Sequence, residues 1–369
     1  MTASATRPTP TPGILDLPPY RAFQPPKRQG RVIRLMANEG ALGPSPKAVA
    51  AFKAASGEIH RYPERGSGEL VQALARHHRL EPERLIVGNG SDELIELLAN
   101  CYAGPGDEAI HTQYGFVMFK QSTRAAGATP ISAPDVNFTV SIDAILERVS
   151  PRTKLVFLAN PNNPTGTYLP HDEVERLHRK LPEHVVLVLD AAYAEYVNRN
   201  DYSAGSGLVE RSQNVIMLRT FSKLFALAGL RLGWGYGSPA ILDALNRVHG
   251  PFNVNLAAQA AGMAALADAA FQEAARNHNA AWMPTIQESL RKLGLEPVPS
   301  VANFVLVRVP AKTGKTAEAA IEHLAKAGIF VREMATYGLA EHFRFSIGTA
   351  EEMEALLAEL GQFLGRTHG

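Results

Sequence analysis

A single cysteine, Cys101, occurs among the 369 residues. A disulfide framework within the chain and a cysteine-based zinc site are both excluded. Cys101 reads as a small buried apolar residue. Charge of either sign is not in excess: Lys plus Arg is 37, Asp plus Glu is 36, and the formal net charge is +1. No field is available to hold a polyanion, so nucleic acid is not an expected partner. Apolar runs of the roughly 18 residues needed to cross a bilayer are missing, so no membrane partner is expected. The first residues, Met1-Thr2-Ala3-Ser4-Ala5-Thr6-Arg7-Pro8, lack a basic stretch followed by an apolar run, which predicts no signal peptide and a cytoplasmic protein. With 46% hydrophobic and 20% charged residues the chain has the composition of a folded protein rather than a disordered one.

Proline is concentrated at one end. Pro8, Pro10, Pro12, Pro18, Pro19, Pro25 and Pro26 fall in the first thirty residues, and residues 1–31 read as an extended arm. From about residue 84 short apolar runs alternate with amphipathic segments. Leu85-Ile86-Val87, Leu155-Val156-Phe157-Leu158, Val185-Val186-Leu187-Val188-Leu189 and Val215-Ile216-Met217-Leu218 are continuous and rich in β-branched residues, as strands buried on both faces are. The last three end near Asn160, Asp190 and Thr220, a thirty-residue spacing that suits βαβ units. The predicted fold is therefore α/β. A large domain, 65–250, has a mainly parallel sheet wrapped by helices, and a smaller α+β domain takes 32–64 and 251–369. In the smaller part a long helix is expected over 257–270, strands at 303–309, 329–331 and 342–347, and helices at 316–327 and 350–364.

Several motifs fail. Gly314-Lys315-Thr316 resembles the end of a P-loop, but Val309 stands where its first glycine belongs. Gly88-Asn89-Gly90-Ser91-Asp92-Glu93 opens like a dinucleotide fingerprint and has Glu93 in place of the third glycine. Adjacent His77 and His78 diverge by about 100° on a helix and do not share a metal. No metal site is expected.

Ligands of open α/β sheets gather at the carboxyl ends of the strands. The groups following each run are Gly90-Ser91-Asp92 opening a helix, Tyr114-Gly115-Phe116, Asn163-Pro164-Thr165-Gly166, Asp190-Ala191-Ala192-Tyr193 and Thr220-Phe221-Ser222-Lys223, with Arg231 eight residues on. Gly90, Ser91 and Asp92 at a helix N-terminus, with Thr220, Ser222 and Arg231, suit a phosphate. Asp190 suits a protonated ring nitrogen, Tyr193 and Asn163 a phenolate oxygen, and Phe116 an aromatic face. Lys223 supplies an amine for a Schiff base. The ligand asking for the whole set is pyridoxal 5′-phosphate. Singly, each residue has a plain reading: Asp190 as a helix cap, Lys223 as surface charge, Asn163-Pro164-Thr165-Gly166 as a turn, Phe116 and Tyr193 as core. The ordered set is far more specific.

With Asn-Pro-Thr-Gly, Asp-x-x-Tyr and Ser-Lys-x(7)-Arg in this order, the chain resembles the fold-type I, pyridoxal-phosphate-dependent aminotransferases from about Tyr20 to the C-terminus. Within them, the stretch from Phe221 to Gly233, Arg61-Tyr62-Pro63, Gly43-Pro44-Ser45-Pro46, Val331-Arg332 and Phe343-Arg344-Phe345-Ser346-Ile347-Gly348 resemble the histidinol-phosphate branch. The resemblance implies transamination between L-histidinol phosphate and 2-oxoglutarate in histidine biosynthesis, with Lys223, Asp190 and Tyr193 as the catalytic residues. Lys223 would shuttle a proton between substrate Cα and C4′ of the cofactor. It implies a homodimer in which Tyr62 reaches the cofactor phosphate of the other subunit. Arg332, Arg344, the arm residue Tyr20 and Asn38 would hold the substrate. Two stretches depart from the usual pattern. Asn38-Glu39-Gly40-Ala41-Leu42-Gly43 replaces Asn-Glu-Asn-Pro-Tyr-Gly, and Gln113-Tyr114-Gly115-Phe116 replaces a Pro-Thr-Tyr, which makes Phe116 the stacking ring and Tyr114 the next choice. Rival readings are an aromatic-amino-acid aminotransferase, a threonine-phosphate decarboxylase and a cofactor-binding regulator. An arm of about thirty residues is too short to hold a helix-turn-helix module, which disfavours the regulator.

Overall fold

The continuous apolar runs are strands because only a sheet covered on both sides can bury every residue of such a run. The computed structural model describes residues 10, 13–17 and 32–365. Most of the arm, Tyr20 included, lies outside the described residues. In chain order the first strands are β1 (Ile33–Arg34), β2 (Leu85–Gly88), β3 (Glu108–Thr112), β4 (Thr129–Ala133), β5 (Thr153–Ala159), β6 (Val186–Asp190), β7 (Val215–Thr220) and β8 (Gly233–Gly237). β2 to β8 form a seven-stranded sheet in the order β2-β8-β7-β6-β5-β3-β4. Pairs among β3 to β7 are parallel, while β8 is antiparallel to both β7 and β2. Two reversals restore the direction, so β2 opens its carboxyl end on the same edge as β5, β6 and β7. Residues alternate between two cores: Leu187 and Leu189 of β6 join one, Val186 and Val188 the other. Each such side chain, fully buried, contributes roughly 1.5–3 kcal/mol.

β8 reads Gly-Trp-Gly-Tyr-Gly and carries no apolar run, which hides it from hydrophobic patterning. Close approach explains the first glycine. A Cβ on Gly233 would stand 2.3 Å from the backbone nitrogen of Ser91, where the helix Ser91–Tyr102 begins.

The second part contains β9 (Glu296–Pro297), β10 (Phe304–Arg308), β11 (Ile329–Phe330), β12 (Arg332–Glu333) and β13 (His342–Ser346). An antiparallel sheet runs β12-β13-β10-β9, and β1 pairs in parallel with β11. Ile33 and Leu35 share its core with Ile286, Val305, Phe343 and Leu356.

The helix expected over 257–270 is two helices, Leu256–Leu266 and Ala269–Lys292. Asp268 breaks it. Its carboxylate accepts from Ser45 Oγ at 2.5 Å and pairs with Lys47 at 3.3 Å, tying the break to the start of the helix Pro46–Ala55. That helix and Leu256–Leu266 meet through small residues: Ala48, Ala258, Ala261 and Ala265 are buried in one core with Leu187 and Trp234 of the large sheet. The cores thus do not divide the chain at 65 and 250. Residues 46–55 and 256–266 pack with the large sheet because their alanine stripes are buried only there. Cys101 is half-buried rather than buried, with Sγ 3.7 Å from the Ala244 carbonyl.

Candidate active site

The strand ends enclose a cavity of about 220 Å³. Ser91, Asp92, Phe116, Asn163, Asp190, Tyr193, Thr220, Ser222, Lys223 and Arg231 all line it. Residues from five separate chain segments therefore meet as the sequence order implied.

At one end the helix Ser91–Tyr102 starts from Gly90, with φ +85°, so its first N–H groups face the cavity without intrahelical partners. Gly90 is required by its positive φ, and a Cβ there would stand 2.6 Å from Arg231 Nη2 and displace the end of that side chain. Arg231, itself at φ +53°, pairs with Asp92 at 3.2 Å, both half-exposed, and its Nη1 donates to the Ala228 carbonyl. Thr220 Oγ1 accepts from Ser222 N at 3.1 Å, which folds the turn after β7 tightly against this end. The result is a cradle of N–H, hydroxyl and guanidinium groups suited to a phosphate.

At the centre Asp190 is 6% exposed and accepts from Ala192 N at 3.2 Å. Burial raises its pKa to about 7, with the charge of Asp92 adding and the Ala192 N–H and Lys223 opposing. Lys223 is pushed down to about 8 by burial, then by the charge of Arg344. Its Nζ donates to the Ala37 carbonyl at 3.2 Å and lies 5.7 Å from the Tyr193 ring centroid. An acid and a base each shifted toward neutrality in one cavity mark a reacting centre. A buried carboxylate whose charge is this poorly compensated fits a cationic ring atom, and the amine fits a carbonyl carbon.

The Tyr193 hydroxyl accepts from Asn38 Nδ2 at 2.9 Å, and burial pushes its pKa up. Asn38 adopts φ +55° and donates its own N–H to Ser346 Oγ at 2.8 Å. Asn163 Oδ1 accepts a hydrogen bond from Arg344 Nη1, and Arg344 Nη2 donates to the Met36 carbonyl at 3.0 Å. Arg344 is 6% exposed, stands over the Phe304 ring and keeps Nε without a partner. Arg332 is its direct register partner across β12 and β13. Asn38, Arg332 and Arg344 are not part of the cavity lining itself.

Phe116 faces the cavity, edge-on to Phe119, whereas Tyr114 turns away to pack on Phe138. Tyr62 is 82% exposed, stacks on Phe252 with centroids 4.7 Å apart and does not line this cavity. Ala37 and Glu39 line the cavity and were not singled out from sequence, although both adjoin Asn38. Asn162 was missed as well; its Nδ2 donates to the Tyr114 carbonyl and Thr165 Oγ1, holding the loop that carries Phe116. Among the described residues no group of three or more His, Cys, Asp or Glu side chains is placed to hold a metal ion, and no helix is long and apolar enough to cross a membrane.

The fold and the cavity define a class of protein that comparison with known families makes explicit. The chain belongs to the class I and II aminotransferases, whose family profile matches residues 30–360. A histidinol-phosphate aminotransferase of Rhodospirillum centenum is 53% identical over 97% of this chain and 99% of its own length. One from Paramagnetospirillum magneticum is 49% identical over 98% and 99%. The crystal structure of a histidinol-phosphate aminotransferase from Sinorhizobium meliloti in complex with pyridoxal-5′-phosphate matches with a TM-score of 0.89 at 29% identity, covering 99% of each chain.

Proposed function

We propose that the chain uses pyridoxal 5′-phosphate to transfer an amino group between L-histidinol phosphate and 2-oxoglutarate, giving imidazole-acetol phosphate and L-glutamate in histidine biosynthesis. It does so as a cytoplasmic homodimer. Bound in the cavity, the cofactor supplies a carbonyl carbon for the substrate amine and a cationic ring that draws electron density from substrate Cα. Gly90, Ser91, Asp92, Thr220, Ser222 and Arg231 hold its phosphate end. Asp190 would hold the ring N–H, and a cation there would favour its ionised form against the effect of burial.

The hydrogen bonds already made decide what the neighbours offer. Asn163 has its amide oxygen committed to Arg344, so its N–H₂ is left for the ring oxygen. Tyr193 accepts from Asn38, so its own proton is free to donate there. Lys223, with a pKa of about 8, is neutral in roughly a tenth of molecules at pH 7, far more than an ordinary lysine. With the cofactor bound, Lys223 would supply the amine that holds its carbonyl carbon and, once free, the base that takes and returns the proton of substrate Cα.

The observation that carries the substrate choice is the register pairing of Arg332 with Arg344. Two arginines directly opposite on neighbouring strands put like charges on one face, and a phosphate of about −1.5 to −2 compensates them better than a carboxylate does. With L-glutamate as donor, imidazole-acetol phosphate should be turned over with kcat/KM at least about tenfold above phenylpyruvate. The reverse ranking would overturn the substrate and leave transamination intact. The exposed Tyr62 reaches the phosphate site of the second subunit. Mixed Lys223→Ala and Tyr62→Phe chains should recover activity toward half of wild type per mixed dimer, because one of the two sites then carries neither defect. No recovery in proven mixed dimers would remove Tyr62 from the site.

A further inference from the structure

Asp190 and Tyr193 reach the cavity from the segment 190–197 at the end of β6, and Thr220, Ser222, Lys223 and Arg231 from the segment 220–231 at the end of β7. Behind them, on the opposite face of the sheet, lies an ion pair that the chemistry above does not use. Arg219 is the residue before Thr220, and Glu195 follows Tyr193 by two. Arg219 Nη2 and Glu195 Oε1 are 2.7 Å apart, with side chains 9% and 7% exposed. The guanidinium stands 5.6 Å from the ring centroid of Trp234, its register partner on β8, and the His78 ring packs on the same indole with centroids 4.8 Å apart. His77 and His78 from the helix Gly68–His78, Arg276 from Ala269–Lys292, and Tyr196 and Tyr202 are titratable and charged groups around the pair.

We infer that Arg219 and Glu195 are positioning residues: their buried ion pair joins the loop of Asp190 and Tyr193 to the loop of Thr220, Ser222 and Lys223 and sets the spacing between them. The inference rests on the transaminase reading. A pair this deep is a poor device for stability alone, since burying both charges costs about as much as their attraction returns. It does tie two chain segments at one short charge contact, and because Arg219 Nε and both Glu195 oxygens make no hydrogen bond, each charge has the other as its main compensation, so the two segments are held together by that contact. Asp190 and Lys223 act on one ligand from these two loops, so drift between the loops is drift between acid and base.

The test uses the full chain with R219M/E195L, which replaces the pair by apolar groups of similar volume, and with E195Q. Melting temperature, affinity for pyridoxal 5′-phosphate and steady-state kinetics are measured. In cofactor-free protein, the pH midpoint of Lys223 modification by an amine-reactive reagent is followed by peptide mapping. The double variant should melt near wild type, bind the cofactor about tenfold more weakly and lose roughly 30-fold or more in kcat with little change in KM, as a misplacement of about an ångström would cause. Its Lys223 midpoint should rise toward that of an ordinary lysine. Variants that keep cofactor affinity, kcat and the labelling midpoint would overturn the inference. If the double variant does not fold, E195D, which keeps the charge and shortens the arm, decides on the same readouts. Wild-type protein that fails to bind the cofactor would instead sink the transaminase reading, and the labelling midpoint would still judge the ion pair.

Discussion

Along the edge of the seven-stranded sheet, Asp190 and Thr220 each close a different strand, whereas Arg332 and Arg344 lie within neighbouring strands of the four-stranded sheet. The first arrangement depends on where strands end. Every parallel strand delivers its next residues to the same edge, and the loops tolerate variation as long as that edge is kept. The second depends on register, for a slip of one residue between β12 and β13 would place the two arginines on opposite faces. In the function proposed above, strand ends would hold the cofactor and strand register would set the charge presented to the substrate.

Perturbing each half separates the two roles. Lys223→Ala removes both the amine and the proton carrier, and activity is expected to fall by about 10⁴-fold or more with the fold intact by circular dichroism. Borohydride reduction of wild-type holoprotein should label Lys223, and labelling of another lysine would break the assignment. Asp190→Asn keeps shape and loses charge. A decrease of at least about 10²-fold in kcat, roughly 3 kcal/mol of barrier, is expected, and an asparagine enzyme within twofold of wild type would make Asp190 a structural cap.

On the register side the expected effect is smaller and selective. Arg332→Ala should lower kcat/KM for histidinol phosphate about tenfold more than for phenylalanine, since one guanidinium suffices for a carboxylate. Equal losses on both substrates would erase the distinction between the two halves. The smallest effect lies away from the cavity. Burial against Trp234 pushes His78 down to about 3, so the folded state resists its protonation. The unfolded chain takes up that proton near pH 6.5, hence the contribution is present above that pH and is lost as pH falls from 6.5 toward 3. His111 and His342 are shifted in the same direction, also by burial first. His78→Leu should flatten urea-unfolding free energies between pH 6.5 and 5 by on the order of 1 kcal/mol, with catalysis unchanged. A variant whose pH dependence matches wild type would show that His78 does not titrate in this way.

Continuous runs such as Leu155–Leu158 and Val185–Leu189 announced strands because burial on both faces leaves no polar position. The chemistry-bearing residues could be ordered because each follows such a run directly. Gly-Trp-Gly-Tyr-Gly announced nothing, since its first glycine answers to the approach of Ser91, a residue more than a hundred positions away. The break at Asp268 was equally silent in the apolar pattern: Gln272 donates to the Ala265 and Leu266 carbonyls that end the first helix, and Ser45 and Lys47, more than two hundred positions away, hold the Asp268 carboxylate.

Apolar patterning and motif order, both local properties of the chain, were enough to determine a mainly parallel sheet and the identity of the residues at its carboxyl edge. Tertiary structure alone decided that Tyr114 packs on Phe138, that Arg332 is the register partner of Arg344, and that Arg219 meets Glu195 behind the cavity. Charge and reactivity followed from the same source. The shifts of Asp190 and Lys223 come from loss of water and from charges brought in by distant segments, and neither exists until the chain has closed around them.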